Sequence, residues 1–210
     1  KINALKDEVW KELNDSLTAL QKIKVLNYFF YDIKKFYSYS RQSYLSNDLF
    51  INNVLDNKRG NPLSLGILYG IIAEQLNMPV RGVNLPMHYV LAYVNTQYDV
   101  PLIDKEAVLF YINPANKGSI FTYKEILLYL SKAKLEVMNE YTLPCDNITI
   151  IKSLFEYLKN IIVDSNSSPN DSNEEPEQLI FNNDKKPYDL GLDRKISELN
   201  ELIELLEFDV

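Results

Sequence analysis

The stretch "GNPLSLGILYGIIAEQLNMPVRGVNLPMHYVLAYV", residues 60–94, decides how this chain is read. Gly60 and Asn61 form a turn, Asn61 is a natural N-cap, and Pro62 fits the first helical position, where its missing N–H costs nothing. From Pro62 to Leu76 apolar residues fall on nearly every side (Leu63, Leu65, Ile67, Leu68, Ile71, Ile72), which is the pattern of a buried helix. Gly66, Gly70 and Ala73 make a small-residue stripe along it. Two glycines in a helix interior each cost up to about 1 kcal/mol against alanine, so something is expected to pack close to that face. The next segment, "HYVLAYV" (88–94), alternates with period two. His88, Val90, Ala92 and Val94 share one face, and Tyr89, Leu91 and Tyr93 the other. Val90 and Ala92 are compact enough to lie against the glycine stripe, and His88, the sole histidine of the chain, shares their face.

Working outward, "AVLFYINP" at 107–114 reads as a second strand with Leu109, Tyr111 and Asn113 on one side. It is expected to pair antiparallel with the first after the 95–106 connection. "ANKGS" is turn-like, and "FTYKEILLYL" opens a helix through a Thr122…Glu125 capping box. Upstream, residues 3–37 carry helical periodicity in two segments broken near "NDS" at 14–16. One stripe is Trp10, Leu13, Leu17 and Leu20, and the other is Val25, Phe29, Ile33 and Phe36. A short helix is expected from Asp48 to Asp56, entered through Ser46–Asn47. Downstream, Asn147–Val163 and Leu192–Phe208 read as helices that pack as an antiparallel pair. The polar, acidic and proline-interrupted segment 164–187 between them is expected to be a disordered or loosely attached loop. The class is α+β, with an N-terminal helical segment (1–45), a core (46–140) and a C-terminal helical region (141–210).

A chain of 210 residues suits one sizeable domain or one with an appendage. No window approaches the roughly 18 uninterrupted apolar residues of a membrane span. A net charge of −7 argues against nucleic-acid binding. The basic pairs Lys22/Lys24 and Lys34/Lys35 read as solvated helix faces. One cysteine, Cys145, excludes an internal disulfide, and with one histidine a metal site is not expected. No cofactor is implied. A cytoplasmic location is the expectation from cysteine usage.

A buried-helix N-terminus, a histidine on the next strand and an amide or acid on the strand after it form a known chemical arrangement. The helix N-terminus lowers a nucleophile's pKa and offers N–H groups to an oxyanion, the histidine acts as base, and the third residue fixes its tautomer. This order, together with residues 60–94 and "YINPANKG" (111–118), resembles the transglutaminase-like family of bacterial SirB-type proteins, within the papain-like superfamily. Relatives of that domain occur in some F-box proteins. The resemblance is strong over about 45–135, and it implies a buried helix packed on a small antiparallel sheet. It also implies that the two last helices are similar to the family's tetratricopeptide-like tail, with 164–187 as an insertion.

The resemblance assigns His88 to the family histidine and Asn113 to the third position. Counting back from "LNMPVR" (76–81) puts Pro62 where catalytic members carry cysteine, and proline has no nucleophile. Met87 stands where a glycine usually precedes the histidine, and Ala115 where a larger residue is common. Ser64, two positions after Pro62 and about 200° around the helix, is the nearby hydroxyl, and it serves equally well as a capping residue. Cys145 reads as a bystander thiol. Asn113, Asn116, Lys117 and Gly118 fit either a ligand-binding turn or a structural one, and Asn84 and Pro86 shape the strand entry. Two functions follow. The first is a non-catalytic transglutaminase-like module that binds a protein or peptide partner, with Asn61, Pro62, Asn84, Pro86, Asn116, Lys117 and Gly118 as candidate binding residues. The second is a hydrolase or acyltransferase with His88 as base, Asn113 as orienter and a non-cysteine nucleophile such as Ser64.

Overall fold

The computed structural model describes residues 1–38, 46–86, 88–95, 105–167, 197–198 and 200–204. They divide into a larger unit, residues 1–150, and a smaller one, 151–210. The larger unit is α+β, as expected. Helices α1 (Ile2–Trp10) and α2 (Ala19–Asn27) come first, and α2 runs directly into a π-helical turn, Tyr28–Ile33. A 3-10 turn (Ser46–Leu49), α3 (Ile51–Asn57) and α4 (Pro62–Gln75) follow. Then come strands β1 (Val80–Val83), β2 (Val90–Val94), β3 (Val108–Asn113) and β4 (Ser119–Phe121), and helices α5 (Tyr123–Lys132) and α6 (Asn147–Ser167). The four strands form one antiparallel sheet in the order β1-β2-β3-β4. Each strand pairs with the next in sequence, so the order needs no crossover.

Helix α4 is buried from its first turn, with Leu65, Leu68, Tyr69 and Ile72 fully inaccessible. Burying each such aliphatic side chain contributes about 1.5–3 kcal/mol relative to leaving it in water. Its neighbours in the sheet are β1 and β2, and α1 and α3 also pack on it. On the other side of the sheet, Val83, Leu85, Val90, Ala92 and Tyr111 pack with Ile126 and Leu130 of α5. α5 begins through the expected Thr122–Glu125 capping box.

That distribution reverses one expectation. Val90 and Ala92 meet α5, not the glycine stripe. The residue against α4 is Tyr89: a Cβ on Gly66 would lie 2.5 Å from its Cε1 and 3.3 Å from Pro114 Cγ. Gly82, paired with Leu91 in β1, faces the same ring at its hydroxyl end. All five positions of β2 are buried, so both faces are apolar and the alternation alone carries no information about which helix covers which. Gly70 has no atom within 4 Å of its would-be Cβ among the described residues, so the stripe is a close contact at one position only.

The N-terminal periodicity is also displaced. α1 ends at Trp10, and Leu5 and Val9, one turn apart, are its buried residues. Trp10 sits 100° further round and is 66% exposed. In the second segment Ile23, Leu26, Phe30 and Tyr31 face the core, while Ile33 is exposed. The stripe is already off by one position in α2, where Leu26 is buried instead of Val25, before the π turn at Tyr28–Ile33 begins, and Phe36, expected on that stripe, is buried. The helix expected at 48–56 is a 3-10 turn and a separate α3, divided at Phe50, whose extended backbone caps α3. Strands β1 and β4 are additional to the two expected. α6 continues as far as Ser167, and helical backbone recurs at 197–198 and 200–204. The remainder of the expected 164–187 loop lies outside the described residues. No helix among the described residues is long and apolar enough to cross a membrane.

Candidate functional site

The candidate residues fall into three places: the start of α4, the connection entering β2, and the β3–β4 turn. At the start of α4, the Asn61 side-chain oxygen accepts from Ser64 N–H (2.8 Å), and Ser64 Oγ accepts from Asn61 N–H (3.1 Å). This reciprocal pair satisfies two of the donors that a helix start leaves over. Pro62 occupies the first helical position, where no N–H is required. Ser64 is fully buried, and its hydroxyl donates to the Asp48 carbonyl at 2.5 Å. The Asp48 carboxylate, 3% exposed, is met by Arg59 Nε at 3.0 Å. The Asn61 side-chain nitrogen is buried with no hydrogen-bond partner among the described residues.

In the connection entering β2, His88 N–H donates to the Leu85 carbonyl (2.8 Å), and the Tyr129 hydroxyl of α5 donates to the Pro86 carbonyl (2.8 Å). The His88 ring is exposed and stands edge-on to Tyr129, with centroids 5.2 Å apart. Asn84 is also exposed. The imidazole therefore belongs to the α5 side of the sheet, and the Ser64 hydroxyl to the α4 side.

In the β3–β4 turn the Asn113 side-chain oxygen accepts from Ala115 N–H (3.0 Å) and Asn116 N–H (3.2 Å), and its carbonyl accepts from Gly118 N–H (3.0 Å). This is an Asx-type turn, in which the side chain stands in for backbone. Lys117 and Gly118 are both left-handed (φ 49° and 65°), and Asn116 and Lys117 are exposed. Gly118 is buried against Asn27, whose carboxamide occupies the space a Cβ would need.

Asn27, Tyr31 and Tyr69 were not among the residues expected to matter, and they hold this turn in place. Asn27 Nδ2 donates to the Gly118 carbonyl (2.9 Å), and its oxygen accepts from the Tyr69 hydroxyl (2.8 Å). The Tyr31 hydroxyl donates to the Pro114 carbonyl (3.0 Å). Burial raises both phenol pKa values far above the ordinary range, so both remain donors. The spacing Asn27–Tyr31 in "NYFFY" carries no motif that would have announced this role.

Cys145 sits beside β1. Its N–H donates to the Gly82 carbonyl (2.9 Å), and its sulfur lies 3.4 Å from the same oxygen. Burial pushes its pKa up to about 11, which keeps it a thiol rather than a thiolate.

Comparison with known proteins supplies the lineage. The model of the transglutaminase-like superfamily matches residues 1–156. A UPF0162 protein of Pasteurella multocida is 38% identical over 81 residues, covering 39% of this chain and 31% of that protein. Human F-box only protein 21 is 32% identical over 105 residues, covering 50% of this chain and 16% of its own length. A UPF0162 protein of Buchnera aphidicola from Schizaphis graminum is 28% identical over 167 residues, covering 78% of this chain and 57% of the relative. The chain thus spans between about a sixth and somewhat over half of these relatives. No solved structure matches it significantly. With the family model running from the first helix through the sheet and α5 into α6, the chain belongs to the transglutaminase-like superfamily.

Proposed function

We propose that this protein is a non-catalytic transglutaminase-like domain that serves as a protein-binding or regulatory module. The observation that carries this reading is the start of α4. Pro62 stands at the position where catalytic relatives are expected to carry cysteine, and the hydroxyl two positions on, that of Ser64, is buried and donates to the Asp48 carbonyl. A nucleophile must reach both a base and an incoming substrate, and a fully buried donor bonded to backbone reaches neither. The Asn113 oxygen is taken up by its own turn, which favours a structural role over orientation of His88. The domain is one part of a much longer chain in F-box only protein 21, and this supports a module that works by attachment to other proteins.

One observation favours the enzyme reading, in which His88 is base and Asn113 orienter of a hydrolase or acyltransferase: the imidazole is open to solvent. Incubation of the wild-type chain and His88→Ala with acyl-type active-site probes separates the two. The module reading expects no covalent adduct by mass spectrometry in either protein. Stoichiometric labelling of wild type that disappears in His88→Ala establishes the enzyme instead.

A further inference from the structure

The start of α1, the end of α3 and the exit of the π turn meet at a group of amines. Lys1 Nζ pairs with Asp56, and Lys34 Nζ meets Glu8 Oε1 at 2.6 Å. Lys58, the residue that closes α3, has no carboxylate partner among the described residues. Its amine donates instead to the Leu55 carbonyl (2.7 Å) and stands 4.6 Å over the centre of the Phe36 ring. Three amines thus share two carboxylates, and Lys58 is the one left without.

The backbone fixes Lys58 in that position. It is left-handed (φ 61°), its N–H donates to the Val54 carbonyl (2.9 Å), and its carbonyl accepts from Tyr37 N–H (2.9 Å). Phe36 beneath it is buried and stacks on Phe30 with centroids 4.4 Å apart. The side chain of Lys58 is half-buried, so its amine is held yet still reachable. Burial first, and then the charges of Lys1 and Lys34, lower its pKa. Desolvation and a neighbouring cation are the two means by which a lysine amine becomes a nucleophile near neutral pH. The same two cations attract an anion, so one arrangement both frees the amine and recruits an anionic reagent.

We propose that Lys58 is a modification site for acyl phosphates, with its Nζ as the nucleophile and Lys1 and Lys34 drawing in the phosphate. The lone pair of the neutral amine attacks the carbonyl carbon. The bond from that carbon to the bridging oxygen breaks, and inorganic phosphate leaves with the electron pair and the proton that the amine gives up. The amide so formed keeps one N–H for the Leu55 carbonyl and carries no charge. Lys1–Asp56 and Lys34–Glu8 then remain as two balanced pairs. The site uses neither His88 nor the start of α4, and it stands or falls apart from the function proposed above.

Incubation of the full chain with acetyl phosphate near neutral pH tests it, with the extent of acetylation at each lysine followed over time by peptide mass spectrometry. Lys58 is expected to react about tenfold faster than the exposed Lys124 and Lys132, because neighbouring cations act on both the amine and its reagent. Lys34→Gln lowers the rate at Lys58 and leaves Lys124 and Lys132 unchanged. Glu8→Gln, which releases the Lys34 charge, raises it. With p-nitrophenyl acetate, an uncharged acyl donor, the preference for Lys58 shrinks. Circular dichroism establishes that each variant is folded. Acetylation of Lys58 no faster than that of Lys124 and Lys132 overturns the proposal. So does a rate at Lys58 that ignores both charge changes, or a preference as large with the uncharged donor.

Discussion

Tyr89 lies across Gly66 so closely that a Cβ on the glycine would stand 2.5 Å from the tyrosine's Cε1. This contact joins the entry of β2 to the second turn of α4, and it brings in the β3–β4 turn through Pro114, 3.3 Å from the same point. It explains why a glycine is tolerated inside a helix at position 66, and it says nothing of the kind about position 70.

The two glycines are therefore expected to respond with opposite signs. Gly66→Ala must displace a buried ring and costs about 1–3 kcal/mol. Gly70→Ala meets nothing among the described residues and gains up to about 1 kcal/mol from helix propensity. Urea denaturation of both variants against wild type measures the pair; equal and same-signed shifts would contradict the packing described.

Asn27 is expected to be worth more than either tyrosine hydroxyl it accompanies. Asn27→Ala strands the fully buried Tyr69 hydroxyl and the Gly118 carbonyl together, for a loss of about 2–4 kcal/mol. Tyr31→Phe removes one donor from the Pro114 carbonyl and costs about 1 kcal/mol. Thermal unfolding gives the order. In the Asn27 variant the amide resonances of residues 115–118 should also move, because their turn has lost its anchor.

Ser64→Ala should behave as the loss of a cap. It removes the hydroxyl that bonds Asp48 and Asn61, lowering stability by about 1–2 kcal/mol. Reactivity toward acyl probes should be the same before and after the change. A Ser64 that reacted in the folded protein, located by peptide mapping, would defeat this expectation.

The thiol of Cys145 gives a pH signature. Its pKa is raised by burial from 9.0 to about 11, so the folded state holds its proton more tightly than the unfolded state does. The sign follows from linkage: the contribution to stability is complete below pH 9 and is lost as pH rises toward 11. Stability of wild type should therefore decline across that interval more steeply than stability of Cys145→Ser. At neutral pH, modification by a thiol reagent should be slow in the folded protein and rapid after unfolding.

Much of the fold was legible because its signals are local. The Asn61–Pro62 start of α4, the Thr122–Glu125 box of α5 and the alternation of β2 each depend on residues a few positions apart; the two helix starts appear where the spacing put them, and the strand begins at Val90, two residues after His88. The π turn was not legible. "NYFFYDI" is compatible with an ordinary helix, and only packing against Tyr69 and the Pro114 carbonyl selects the wider turn that buries Phe30 and Tyr31 side by side. β1 and β4 are three or four residues long and acquire strand character from their partners, not from their own pattern.

The candidate site divides along the same line. By itself the sequence determined that a strand follows close on His88, that Asn113 opens a turn, and that Pro62 rather than a nucleophile begins the buried helix. Tertiary structure decided what these residues face. It set His88 beside Tyr129 on the α5 side, turned Ser64 inward onto Asp48, and engaged the Asn113 oxygen with its own turn. The physical reason is that β2 is apolar on both faces. Alternation names two faces, and only the shapes brought against them, a flat ring over Gly66 and the branched side chains of α5 over Val90 and Ala92, decide which face meets which helix.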